Sequence, residues 1–246
     1  MDKILALWGT PRSRSTAFRW MMQQRGDFYI AHEPFGKSAY LSEERIFLRS
    51  SSNPDPNHNY SSVLKRLLEK AKEENVFIKD FPYYFLHIVD DKFLDCFQHT
   101  FLIRDPKEVI PSYYHKWPDL NFSEVGYQEL FHLFKKVCDH SKKIPIVIDA
   151  NDLIENPEAI VRKYCEMVGI PFMLESLNWE PPGEKKEIGW WGNGRVWCTE
   201  IRKSSHFENK INPEYVSVTD DEKLNKIYKQ CLPYYQSLYQ HRLKIP

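Results

Sequence analysis

The sequence predicts an α/β fold: three layers, with a central, mostly parallel sheet flanked by helices. Short apolar runs alternate with amphipathic stretches along the chain, the pattern of β-strands joined by crossover helices. Several apolar runs end in a polar cluster that opens the next helix, as strand ends do in open parallel sheets. At 246 residues the chain has ample material for a full hydrophobic core.

Residues 4–9, Ile-Leu-Ala-Leu-Trp-Gly, read as a buried strand. Gly9 and Pro11 break it, and Ser15 or Thr16 is placed to cap the next helix, which runs through residues 18–24. A short strand at 28–31 ends at His32-Glu33-Pro34. Residues 36–60 carry no clean period, and 50–59, rich in Ser, Asn and Pro, read as a mobile loop suited to a lid. A charged amphipathic helix at about 61–74 leads into a strand at 76–79. Residues 83–97 look helical and precede a strand at 100–103. Arg104-Asp105-Pro106 then starts a helix, with Asp105 as cap and Pro106 in the first turn. A helix at about 123–141, a strand at 146–148 and a helix from Asn156-Pro157 to near Gly169 come next. The stretch 180–205 is irregular and rich in Gly, Trp and Pro, and a last helix covers about 220–243.

Composition narrows the function classes. With 34 basic and 34 acidic residues the formal charge is zero, so neither nucleic acid nor an anionic membrane is a general partner, and any anion site must be local. Five scattered cysteines without a C-x-x-C pair favour neither a zinc site nor a disulfide framework, and reduced cytoplasmic thiols are the expectation. His87, His99, His115 and His132 sit inside helix or strand patterns without metal-ligand spacing and read as packing or surface residues. No leader pattern and no apolar run of spanning length is present, which points to a soluble intracellular chain. Aromatic residues make up 15% of the chain, enough to furnish both a core and a ring-lined pocket.

Gly9-Thr10-Pro11-Arg12-Ser13-Arg14-Ser15-Thr16 gathers four hydroxyls and two guanidinium groups at a helix N-terminus. Unpaired N–H groups and the positive end of the helix dipole point to the same place, so the loop is an anion site suited to phosphate or sulfate. It lacks the Gly-Lys-Ser/Thr ending of nucleoside-triphosphatase loops, and no Asp-ended strand offers a convincing magnesium partner. Four polar clusters lie at strand ends: residues 10–16, His32-Glu33, Lys79-Asp80 and Arg104-Asp105. In a parallel sheet all four would face one crevice.

These motifs together resemble the sulfotransferases that use 3′-phosphoadenosine 5′-phosphosulfate (PAPS), whose fold is P-loop-like. Pro11-Arg12-Ser13-Arg14-Ser15-Thr16 matches the family's first loop, and Arg104 with Ser112 eight residues on matches its second signature. Asp149 to Phe172, with Asn156-Pro157 and Gly169-Ile170-Pro171-Phe172, looks like a later strand–helix unit of the family. The resemblance covers about residues 3–172. It implies a single sulfotransferase-like domain over 1–246, with 36–60 and 180–207 as irregular cover on the acceptor side.

The resemblance also implies roles. Arg12, Ser13, Arg14, Ser15, Thr16 and Ala17 would hold the 5′-phosphosulfate, with Arg12 stabilising the leaving phosphate where many relatives carry Lys. Arg104 and Ser112 would hold the 3′-phosphate, although an ion pair of Arg104 with Asp105 or Glu108 is the structural alternative. Arg14 replaces a Gly found in many relatives and would either contact the sulfuryl group or point to solvent. Cytosolic members use a His in a Lys-x-His stretch, but Lys79-Asp80-Phe81 has Phe there, so that arrangement is not expected. Glu33 is the expected base, with Lys79 near the sulfuryl oxygens. His32 and Asp80 remain alternatives for the base, and Glu33 as a helix cap or the partner of an Arg remains a structural one. The Trp-rich segment 189–198 would cover adenine or shape the acceptor pocket, or be a surface loop anchored by indoles; Ser204 and Ser205 are further candidates for the 3′-phosphate. The implied reaction moves a sulfuryl group from PAPS to a hydroxyl or amine of a small molecule, releasing PAP, without a metal. A P-loop small-molecule kinase and a catalytically silent nucleotide-binding module are the rival readings.

Overall fold

Six consecutive buried residues, Ile4–Gly9, form β1, the middle strand of a five-stranded sheet. The computed structural model describes residues 3–48, 53–181, 201–208 and 215–245. In chain order the elements are β1, α1 (Ser15–Gln24), β2 (Tyr29–His32), α2 (Pro34–Leu41), α3 (Tyr60–Ala71), β3 (Val76–Asp80), α4 (Asp91–Asp95) and β4 (Phe97–Ile103). They continue with α5 (Pro106–Tyr114), α6 (Phe122–Val125), α7 (Tyr127–Ser141), β5 (Ile146–Asp149), α8 (Ala150–Glu155), α9 (Pro157–Val168) and α10 (Glu222–Tyr239). The strand order is β2-β3-β1-β4-β5 and every neighbouring pair is parallel.

The period of two along β1 creates the layers. Ile4, Ala6 and Trp8 face one apolar cluster, and Leu5 and Leu7 face the other. The first cluster takes side chains from α2–α7 and α10; the second takes Phe18, Met21 and Met22 of α1, Leu153 of α8, and Ile160, Val161 and Tyr164 of α9. The chain is thus the expected α/β sandwich of helices around a parallel sheet. Among the described residues no helix is long and apolar enough to cross a membrane.

Three expectations about elements are corrected. Residues 34–41, part of the stretch without a period, form α2, because Pro34 presets the first turn and Phe35, Ala39 and Tyr40 are drawn into the core. Residues 83–97 are not one helix: 3₁₀ turns at Pro82–Tyr84 and Leu86–Ile88 precede the short α4, and Phe97 already belongs to β4. The rings of Phe81, Tyr83 and Tyr84 pack on one another and on Tyr40 and Phe47, so tertiary ring packing overrides the helical spacing. The helix expected at 123–141 breaks at Gly126, whose φ of 79° suits glycine and separates α6 from α7. Of the expected lid loop, residues 50–52 lie outside the described ones, while Pro56–His58 form a 3₁₀ turn opened by the Asp55 carboxylate accepting from the Asn57 N–H.

Candidate active site

The carboxyl end of β1 runs straight into the arginine loop. Gly9 is needed for close approach: a Cβ there would meet Ser13 Oγ at 3.0 Å and the Leu102 carbonyl at 3.3 Å. Ser13 is fully buried and donates its hydroxyl to the Thr10 carbonyl at 2.7 Å, which closes the turn. Arg12 and Arg14 flank it at φ 62° and 66°, left-handed conformations that cost a non-glycine residue about 1 kcal/mol or more each. Alternation of this kind turns successive N–H groups toward one side and suits an anion.

The expected cap at Ser15 or Thr16 is corrected. Arg14 takes the N-cap position of α1, Ser15 is already helical, and no side chain caps the helix. No acidic residue stands in the first turn, so the N–H groups of Ser15 and Thr16 and the dipole end meet no local carboxylate, while the Ala17 N–H donates to the Arg14 carbonyl at 3.0 Å.

Contacts from neighbouring strand ends hold the strained loop. Arg12 donates Nε to Ser112 Oγ on α5 at 3.0 Å. Arg104, just past β4, donates Nη1 to the Arg12 carbonyl at 3.0 Å, and its own carbonyl accepts from the Tyr127 hydroxyl. Arg14 goes neither to solvent nor to an open space in the loop. Its Nη1 reaches the Ala150 carbonyl at 3.2 Å and Asn151 Oδ1 at 2.9 Å, at the start of α8. Burial, and next the charge of Arg104, lower the Arg14 guanidinium to about 10. Glu108 on α5 accepts from Arg104 Nε at 3.0 Å and Nη2 at 2.7 Å, while Asn151 Nδ2 donates to its other oxygen at 2.8 Å. The ion pair between Arg104 and Glu108 is therefore present. Asn151 was not among the expected residues; the Asp149-Ala150-Asn151 strand end is a fifth polar cluster of the same kind as the four singled out.

At the other side of β1, Lys79 and Glu33 meet. Parallel pairing sets His32 beside Lys79, and Lys79 Nζ donates to Glu33 Oε1 at 2.5 Å in a buried pair. The ammonium also lies 3.6 Å from the ring centroid of Phe81, a cation–π contact with the residue that stands in place of the Lys-x-His histidine. Burial alone would raise the Glu33 carboxyl, but the Lys79 ammonium, by its charge and its hydrogen bond, outweighs it and holds the group below its ordinary value. Burial drives His32 the other way, down to about 3, so its imidazole is neutral and a weak base.

Asp80 explains why Glu33 is available. Glu33 sits at the N-cap position of α2 with φ 49°, yet its side chain makes no cap. Asp80 Oδ2 instead accepts from the Phe35 N–H of α2 at 2.8 Å, and Oδ1 from the Phe81 N–H at 2.8 Å. A carboxylate from the neighbouring strand thus does the capping. Burial and the nearby Glu33 charge push Asp80 well above the ordinary carboxylate range, against those two donors. With both oxygens committed to backbone, Asp80 is placed for structure. Replacing it by alanine is expected to lower unfolding free energy by about 2 kcal/mol in urea titration, because two buried N–H groups lose their acceptor. A change under half that size would show that water or another group replaces it.

The side-chain hydrogen bonds of Ser204 and Ser205 are local. Ser204 Oγ bonds to the Ile201 carbonyl at 3.2 Å and Ser205 Oγ contacts His206 Nδ1 at 3.1 Å. Their segment docks on 174–179, through the Trp179 N–H to the Ser205 carbonyl at 2.8 Å and the crossed rings of Trp179 and Phe207. The Trp-rich stretch 189–198 lies outside the described residues. His99 is a packing residue, accepting from Trp8 Nε1 at 2.9 Å. Among the described residues no cluster of His, Cys, Asp and Glu is arranged to hold a metal ion.

Fold and site together define a parallel α/β protein whose basic groups gather at the carboxyl edge of the sheet, where such folds take anionic ligands. The chain belongs to the sulfotransferase-domain family, whose sequence profile matches residues 2–242. Two solved sulfotransferase domains share the fold. The one from the Synechococcus PCC 7002 olefin synthase is 15% identical, with TM-score 0.54 over 100% of this chain and 96% of that one. The one from the curacin biosynthetic pathway is 13% identical, with TM-score 0.51 over 94% and 97%. A curated relative, the branched-chain-amino-acid aminotransferase-like protein 2 of Arabidopsis thaliana, is 29% identical over 97% of this chain. The match takes in 42% of that plant protein, so the chain spans less than half the length of the curated relatives it matches.

Proposed function

We propose that this protein transfers a sulfuryl group from PAPS to a hydroxyl or amine of a small-molecule acceptor. The observation that carries the reading is a buried carboxylate, Glu33, held ionised by Lys79 at the same sheet edge as the arginine loop. The residues fit the cosubstrate: a helix N-terminus without a local carboxylate, and three guanidinium groups, those of Arg12, Arg14 and Arg104, fixed by neighbouring strand ends. When bound, PAPS supplies the sulfuryl group by in-line displacement and leaves as PAP.

The chain's own groups supply the rest. The N–H groups of Ser15 and Thr16, with Ser13, Arg14 and Ala17 shaping the loop, bind the 5′ end, and Arg12 places positive charge at the departing phosphate. Arginine stays protonated there, so it stabilises charge without donating a proton. Arg104 and Ser112 bind the 3′ end, with Ser204 and Ser205 as further candidates there. Lys79 and His32 both approach Glu33 Oε1, which leaves Oε2 to take the acceptor proton. Lys79 orients that carboxylate and lends charge beside the sulfuryl oxygens. The cover by 180–207, one domain over the chain and a cytoplasmic setting belong to the same proposal.

The test is incubation with PAPS and a small-molecule extract, following PAP release and a sulfonate mass increment, with and without a magnesium chelator. PAP release that survives chelation supports sulfuryl transfer. Absence of PAP binding by calorimetry would overturn the reading.

A further inference from the structure

Glu108 holds the bonding edge of Arg104 that a phosphate would use. Guanidinium groups grip phosphate and carboxylate through the same fork of parallel N–H donors. In Arg104 that fork, Nε and Nη2, is spent on the single oxygen Oε2 of Glu108, at 3.0 and 2.7 Å. Arg14 Nη2 stands 3.7 Å from the same oxygen.

The partners differ in how firmly they are held. The Arg14 and Arg104 side chains are each 11% exposed and are tied to backbone carbonyls of Ala150 and Arg12. Glu108 is 33% exposed on α5, and besides the arginines it keeps one contact, from Asn151 Nδ2. The nearby Asp149 is not equivalent: its oxygens accept from the Asn151 and Asp152 N–H groups and the Tyr235 hydroxyl. An arriving anion therefore meets two preset cations and one half-exposed carboxylate able to give way.

We propose that Glu108 is a resident counter-ion of the cofactor clamp, occupying the anion position on Arg104 until the ligand's 3′-phosphate takes it. Its single negative charge offsets part of the repulsion between Arg104 and Arg14 in the empty protein and lowers the net affinity for the bisphosphate, which favours product release. Glu108 thereby acts through Arg104 as a positioning residue. The inference rests on the reading of Arg104 as the 3′-phosphate group.

Calorimetry of the full chain separates the two ideas, with PAP and with adenosine 5′-phosphosulfate, which lacks the 3′-phosphate. Glu108→Gln keeps the shape and an oxygen for Asn151 while removing the charge. It is expected to bind PAP about tenfold tighter or more, from loss of a charge close to the phosphate, with binding of adenosine 5′-phosphosulfate changed less than twofold. Glu108→Ala serves as the second variant, with the same expectation, and thermal melting checks that both fold. Unchanged or weaker PAP binding overturns the counter-ion role, as does equal tightening of both ligands. If the wild-type chain binds adenosine 5′-phosphosulfate and PAP equally well, the reading of Arg104 fails instead.

Discussion

A Glu33→Gln variant is expected to lose roughly 10²–10⁴-fold in kcat, the usual worth of a positioned general base, with PAP affinity unchanged. The amide keeps the volume and an oxygen for the Lys79 ammonium but leaves that buried ammonium without its counter-charge, so thermal melting and PAP binding first establish that the variant is folded. What it loses is the basic lone pair that takes the acceptor proton as the new bond to sulfur forms. The two competing bases are worse placed. His32, lowered by burial to about 3, has little affinity for a proton at neutral pH, and both oxygens of Asp80 already accept backbone N–H groups. Because Glu33 lies below its ordinary value, the acid limb of kcat/KM should fall below the ordinary carboxylate value of about 4.3. Turnover at the wild-type rate in the Gln variant, with normal PAP binding, would remove Glu33 from the role.

The sheet and the places where it meets polar residues were legible because both depend on local pattern. β1 reads as a strand from five apolar residues closed by Gly9, and the helix starts after Asp105 and Asn156 come from the Asp105 cap and from Pro106 and Pro157 in the first turns. Glu33 stood out by its position before Pro34 at a strand end. Its freedom did not, because the cap it would have made comes from Asp80, distant in the chain and brought alongside by β2–β3 pairing. The same holds for Arg14, whose anchor at Ala150 and Asn151 lies 136 and 137 residues away. Pattern also failed at 83–97, where helical spacing of apolar residues serves an aromatic cluster built from several loops. Long-range charge and ring contacts decide these cases, and no local window contains both partners.

Lys79→Met is expected to have the largest effect on stability, a loss of about 3–5 kcal/mol near neutral pH, because removing one partner leaves a buried charge uncompensated. Lys79 is 1% exposed and Glu33 8%, so water cannot replace the ammonium cheaply. Methionine keeps the length and a favourable contact with the Phe81 ring, which confines the loss to charge. The pH dependence gives the sharper test. In the wild type the folded value of Glu33 lies below the unfolded one, so its contribution is present above the unfolded value and lost as pH falls through the folded one. In the variant burial acts unopposed and places the folded value above the unfolded one, so the destabilisation is present at neutral pH and fades as pH falls toward the unfolded value. Urea unfolding of the two proteins should therefore differ most near neutral pH and converge as pH drops below the ordinary carboxylate range of about 4.3. The acid limb of any remaining activity should move up in the variant, since the base now holds its proton more tightly. A stability gap that stays constant with pH would mean that Lys79 acts by packing alone, and the case for an ionised Glu33 at the sheet edge would fall with it.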